Sequence, residues 1–235
     1  MPARHEIARH LPELARAIGR SGSTIPYPWA GLSELVSRLP RQELPLIGYG
    51  SLLSQASAAR TIKDTSAQRL PCLAFGCRRI FHYEMPLRVR ERYGILPDSP
   101  ARAALNVEIT RDPRHFLNGV LTTVRVADLA ALLEREFGYD LASVPCLSWN
   151  AGDFTSLSAA YILAAPEVAA RSEWQVVRPD ILPEPDYARL CEQGAHSISE
   201  EFAGVYRETT CLADKQTTLK MYKELPVCRN NINSQ

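Results

Sequence analysis

The sequence predicts an α+β protein: a small mixed β-barrel flanked by helices, with helical extensions at both ends. Three observations lead to that class. Short apolar runs that read as strands crowd into residues 44–163. The early ones are spaced too closely for crossover helices, so neighbours should pair antiparallel. One amphipathic helix interrupts them near 128–136, and both ends of the chain carry helical patterns instead of alternation. The expected division is an N-terminal helical extension packed on the core (1–40), a barrel (41–180) and a C-terminal helical segment of the same domain (181–235).

Residues 1–40 predict two short helices, separated by the turn-rich 19–23 and by Pro26-Tyr27-Pro28. The first should turn Leu11, Leu14, Ala15 and Ile18 inward, and Trp29, Leu32, Leu35 and Val36 need an apolar partner. The core opens with a strand at 44–49, followed by a glycine-rich turn and a short helix near 55–60. Further strands are expected at 70–83, 103–109, 116–124, 139–147 and 154–163. Residues 184–224 read as helical, with Pro183 and Pro185 near the start. The basic run 88–92 reads as a solvated loop, with the lining of an anionic-substrate pocket as its other reading.

Composition narrows the function classes. Of 235 residues, 46% are hydrophobic and 23% charged, ordinary for a globular chain with a substantial core. A formal net charge of +1 argues against nucleic acid or an anionic membrane as a partner. No run is long enough to span a bilayer, and the N-terminus lacks the apolar stretch of a secretory signal. Cys72, Cys77, Cys146, Cys191, Cys211 and Cys228 are scattered without Cys-x-x-Cys spacing, so they read as buried reduced thiols of a cytosolic protein. Gly48-x-Gly50 after a strand invites a dinucleotide-binding reading, but Leu53 stands where the third small residue should fall and no βαβ alternation follows. His5 and His10 are five apart and point to different helix faces, unlike a zinc helix. No motif calls for a metal or organic cofactor.

Two features carry chemistry. The first is the turn Gly48-Tyr49-Gly50-Ser51-Leu52, where glycines let a ligand approach the main chain and successive N–H groups can cradle a carboxylate or oxyanion. The second is Glu136. Leu129, Leu132, Leu133 and position 136 share one helix face, and Glu136 falls roughly 20° from Leu129, whereas Glu134 falls about 140° away. Asp128 is the expected N-cap, and Gly138 stands where a helix stop belongs. Burial and the negative end of the helix dipole both disfavour an ionised Glu136. Such a carboxylate is either salt-bridged, with Arg78, Arg79 or Arg125 as partners, or catalytic.

At these residues the chain resembles the γ-glutamylcyclotransferase-like superfamily, which includes ChaC-type and related γ-glutamylamine cyclotransferases. Tyr49-Gly50-Ser51-Leu52 is similar to the family's Tyr-Gly-Ser-Asn/Leu turn after its first strand. Arg135-Glu136-Phe137-Gly138-Tyr139 is similar to its Arg-Glu-x-x-x-Tyr stretch, one residue tighter. Gly76-x-x-Arg79 and Gly119-Val120-Leu121 resemble two of its strands, and the resemblance spans about residues 44–165. It implies the same barrel and an intramolecular aminolysis, in which the α-amine of a small γ-glutamyl substrate attacks its own γ-carbonyl. 5-Oxoproline and an amine or amino acid are released. Glu136 would be the general acid/base, Tyr49, Gly50, Ser51 and Leu52 the substrate cradle, and Tyr139 a hydrogen-bonding partner. An ordinary Glu near pKa 4.3 and an α-amine near 8 put about 5 kcal/mol on that proton transfer, so a raised Glu pKa matters. The competing class is a non-catalytic small-molecule-binding or regulatory protein on the same fold. A third reading is a γ-glutamylamine-processing step, which the sequence does not separate from glutathione turnover.

Overall fold

The structure, a computed structural model, describes residues 4–21, 23–63, 69–166 and 176–225. The chain enters through α1 (Arg4–Arg9), α2 (Leu11–Arg20), the two-residue strand β1 (Thr24–Ile25) and α3 (Leu32–Ser37). The central part runs β2 (Glu43–Gly48), α4 (Gln55–Ala58), β3 (Leu70–Phe75), β4 (Cys77–Glu84), α5 (Leu87–Tyr93), β5 (Ala101–Ile109) and β6 (Phe116–Arg125). Then come α6 (Leu129–Arg135), β7 (Asp140–Ser148), β8 (Ser158–Ala164), β9 (Leu182–Pro183), α7 (Pro185–His196), α8 (Glu200–Thr209), β10 (Thr210–Leu212) and α9 (Leu219–Glu224).

Five strands in the order β7-β3-β6-β2-β8 close into a barrel because β8 also pairs with β7, and β1 adds to the outer side of β7. All pairs within the barrel are antiparallel except β2–β8, which is parallel. The fold is therefore α+β with a mixed barrel, as the strand spacing predicts. Leu44, Leu46, Ile47, Leu73, Phe75, Leu117, Val124, Leu147 and Ile162 on these strands are buried. Among the described residues, no helix is long and apolar enough to cross a membrane.

The expected single strand over 70–83 is two strands in different sheets. Gly76 breaks the run with φ +75°, a left-handed conformation that a side chain rarely adopts. The chain thereby leaves the barrel after β3 and begins a second, four-stranded sheet of order β10-β4-β5-β9. A bulge at His82 shifts the β4–β5 register, so that Phe81 faces Leu105 and Tyr83 faces Ala104. Bulges re-aim side chains, and this one bears on where Tyr83 points.

Other expectations need correction. The run 88–92 is part of α5, not a loop; Pro86 precedes it and Gly94 stops it in the left-handed region, with its N–H on Glu91 O at 3.1 Å. In α2, Ala17 and not Ala15 is buried beside Leu14 and Ile18, because Ala15 lies 100° round from Leu14. The helical stretch 184–224 is interrupted by β10, which pairs parallel with β4. Asp128 stands at the N-cap of α6 but does not cap it, since a 3-10 turn runs straight into the helix; its Oδ2 accepts from Lys63 N at 3.3 Å. Cys72, Cys77, Cys146 and Cys191 are buried free thiols, Cys211 is only half-buried, and Cys228 lies outside the described residues.

Candidate active site

Helix α6 ends by delivering two adjacent side chains, Arg135 and Glu136, to the wall of one cavity of about 500 Å³. The Glu136 side chain is 14% exposed, and Glu134 is exposed. Glu136 is salt-bridged to its own neighbour, Arg135 Nε to Oε1 at 3.0 Å. The arginines expected as partners are engaged elsewhere: Arg78 with Glu108, Arg125 with Glu43, and Arg79 in a buried set of hydrogen bonds.

Arg135 also ties this helix end to the glycine-rich turn. Its Nη2 donates to Ser51 Oγ at 2.9 Å and to Ser57 Oγ at 3.0 Å. Its Nη1 donates to Ser57 O at 2.6 Å and Thr61 Oγ1 at 3.1 Å. One planar guanidinium thus binds Ser51 and Glu136 together, a task that suits its fixed fork of donors. Burial pushes the Glu136 carboxyl above its usual range, and the neighbouring Arg135 charge opposes that rise only in part.

The turn itself is clamped from both sides. Arg79 Nη1 donates to Tyr49 O at 3.2 Å, and Arg69 Nη2 donates to Leu52 O at 2.6 Å and Leu53 O at 3.0 Å. Ser51–Leu53 form a 3-10 turn, whose first N–H groups have no acceptor within it. A Cβ on Gly50 would meet Tyr187 Oη at 2.8 Å, so the Tyr187 hydroxyl packs against the bare α-carbon of position 50. Glu184 places Tyr187 by capping α7, accepting from Tyr187 N at 2.6 Å and Asp186 N at 3.2 Å.

Among the residues expected from sequence, Ser51, Glu136 and Tyr139 line the cavity together, while Tyr49 and Leu52 are buried behind it and Gly50 backs onto Tyr187. The tyrosine hydroxyls are committed to the frame. Tyr49 Oη donates to Leu163 O at 2.8 Å and Tyr139 Oη to Leu105 O at 2.8 Å. Tyr139 therefore has only its oxygen lone pairs to offer a ligand. Burial first, and then the Glu136 charge, hold the Tyr49 and Tyr83 phenols well above their usual range, so both stay neutral.

The lining residues that the sequence does not reveal include Tyr83 and Tyr187. Tyr83 stacks on Tyr139 with ring centroids 4.6 Å apart and donates to Phe137 O at 3.0 Å. The His82 bulge that aims it has no signature in the chain. Tyr187 comes from a helix without a motif. Arg135 was legible as the first residue of the Arg-Glu pair, though not its bond to Ser51.

No family model matches the chain, and no curated protein matches it in sequence. Similar solved structures include a gamma-glutamyl cyclotransferase at TM-score 0.49 and 11% identity, covering 80% of this chain and 99% of that one. Another is a gamma-glutamyl cyclotransferase specific to glutathione from yeast, at TM-score 0.39 and 13% identity, covering 77% and 100%. YkqA from Bacillus subtilis aligns at TM-score 0.48 and 16% identity over 73% of this chain, which spans 55% of YkqA's length.

Proposed function

We propose that the protein cyclises a γ-glutamyl amine or peptide to 5-oxoproline and releases the amine, with Glu136 as general acid/base. The observation that carries this reading is the Arg135 guanidinium joining Ser51 of the glycine-rich turn to the buried Glu136 in one cavity.

In this reaction the substrate α-nitrogen forms a bond to the γ-carbonyl carbon, and the amide C–N bond to the leaving portion breaks. No water is consumed. Nucleophile and electrophile share one molecule, so the protein's work is to hold a near-attack geometry, move protons between two nitrogens and stabilise one oxyanion. Glu136 takes one proton from the α-ammonium to free the attacking amine, and the same nitrogen gives up a second as the lactam forms. Both end on the departing nitrogen, which leaves as an ammonium, with Glu136 carrying them one at a time. Each unit by which burial raises its pKa removes about 1.4 kcal/mol from the first transfer. N–H groups at Ser51 and Leu52 serve the carbonyl oxygen as charge develops on it.

The Arg135–Glu136 ion pair favours a second reading, a binding or regulatory protein without turnover, because a guanidinium at 3.0 Å weakens the carboxylate as a base. Incubation of the purified chain with a panel of γ-glutamyl compounds, scoring 5-oxoproline, separates the two. Release from at least one compound is expected. Saturable binding without release from any would favour the second reading.

A further inference from the structure

The cavity that holds Glu136 is lined on its α5 side by arginines the reaction does not require. Arg88 and Arg92 stand four residues apart on α5, hence on one helix face, and Arg60 reaches the same cavity from the end of the turn after α4. All three are exposed, and none has a carboxylate partner among the described residues. Neighbouring arginines do find partners: Arg90 and Arg102 pair with Glu84, and Arg135 with Glu136. The lining therefore holds four arginines against two glutamates, in a chain whose net charge is only +1.

Arg88 marks the reacting end of this row, its guanidinium carbon 5.5 Å from the ring of Phe137, the residue after Glu136. Arg60 and Arg92 line the same cavity as Tyr93. With Glu136 matched by Arg135, the remaining arginines face only Glu134. A γ-glutamyl amine brings a single carboxylate to this field. A γ-glutamyl amino acid or peptide brings a second one, on the portion that leaves.

We infer that Arg88 and Arg92, with Arg60, form a subsite for the carboxylate of the leaving portion, so that the released product is an amino acid or peptide and not a neutral amine. This inference rests on the cyclotransferase reading above. Exposed guanidinium groups in a cavity hold a carboxylate by charge-assisted hydrogen bonds, worth roughly 10- to 100-fold in affinity when two engage.

Two compounds differing only in that carboxylate, γ-glutamylalanine and γ-glutamylethylamide, provide the test. Calorimetric binding to the full chain should favour γ-glutamylalanine by roughly 10- to 100-fold. In the double variant Arg88→Gln/Arg92→Gln that preference should collapse while ethylamide affinity stays unchanged, and Arg88→Lys/Arg92→Lys should restore most of it. Both arginines are exposed, so unchanged thermal unfolding will show that the fold is kept. Equal affinities in the wild type, equal weakening of both compounds in the double variant, or no binding of either would overturn the subsite. A 5-oxoproline assay on the same samples reads the other question. No release from either compound would remove the catalytic reading, and the binding comparison would still decide the subsite.

Discussion

A carboxylate that must accept a proton from an amine is helped by whatever makes its ionised form costly. At Glu136 that cost comes from burial, and Arg135 returns part of it. The same shift has a thermodynamic signature. Glu136 in the folded chain holds its proton to higher pH than in the unfolded chain, so between the two pKa values the folded state binds more protons. Stability then falls as pH rises through that window, and the loss is complete above the folded-state value. Glu136→Gln removes this dependence. Denaturant titrations from pH 4 to 8 should show the variant gaining on the wild type as pH rises, then a constant gap. A gap independent of pH, or one that moves the other way, would mean that burial does not dominate at this carboxyl. The Arg135 guanidinium keeps Ser51, Ser57 and Thr61 as acceptors in that variant, so it is not left bare.

Between elements, the decisive joint is the fully buried Arg79 on β4. It donates to Thr210 Oγ1 at 2.7 Å, Asn118 O at 2.8 Å, Asn118 Oδ1 at 2.9 Å and Tyr49 O at 3.2 Å, with its guanidinium carbon 3.9 Å from the centre of the Tyr206 ring. One side chain thus ties the second sheet, the barrel strand β6, the glycine-rich turn and α8. Burial pulls its pKa down to about 10, still well above neutrality, so it stays charged. Lysine has three donors on a flexible stem and cannot reproduce this fork. Arg79→Lys should cost about 2–4 kcal/mol in chemical denaturation; a cost within error of zero would show that the joint is dispensable. What the sequence discloses about these elements depends on how local the cause is. The strand β2 and helix α6 are legible because their apolar periods are complete within Leu44–Ile47 and Leu129–Leu133. The split at Gly76 is not, since Leu70–Tyr83 is a continuous run of strand formers and one glycine sends it to another sheet. Helix α5 carried its signals, Pro86 before and Gly94 after, but its charge obscured them. Strand β10 exists only because β4 lies alongside, which no window around Thr210–Leu212 reveals.

For the molecule as a whole, the chain before the barrel braces the segment that follows Glu136. Trp29 Nε1 donates to Tyr139 O at 2.8 Å, Tyr27 N to Asp140 Oδ1 at 2.9 Å, and β1 pairs with β7 through Thr24 and Ala142. The N-terminal segment thus holds residues 139–140 in place, and Tyr187 of α7 lines the candidate cavity with Glu136 and Tyr139. Such a frame makes Glu136 rigid and largely dry, which serves proton transfer only if the group performs it. The most direct test is the turnover of γ-glutamyl compounds to 5-oxoproline by wild type and Glu136→Gln, on samples shown to be equally folded. Glutamine keeps the shape and a hydrogen bond but cannot carry the proton, so turnover should drop by roughly 10²- to 10⁴-fold with substrate binding retained. Equal turnover by the two proteins would contradict the assignment of Glu136 as the acid/base.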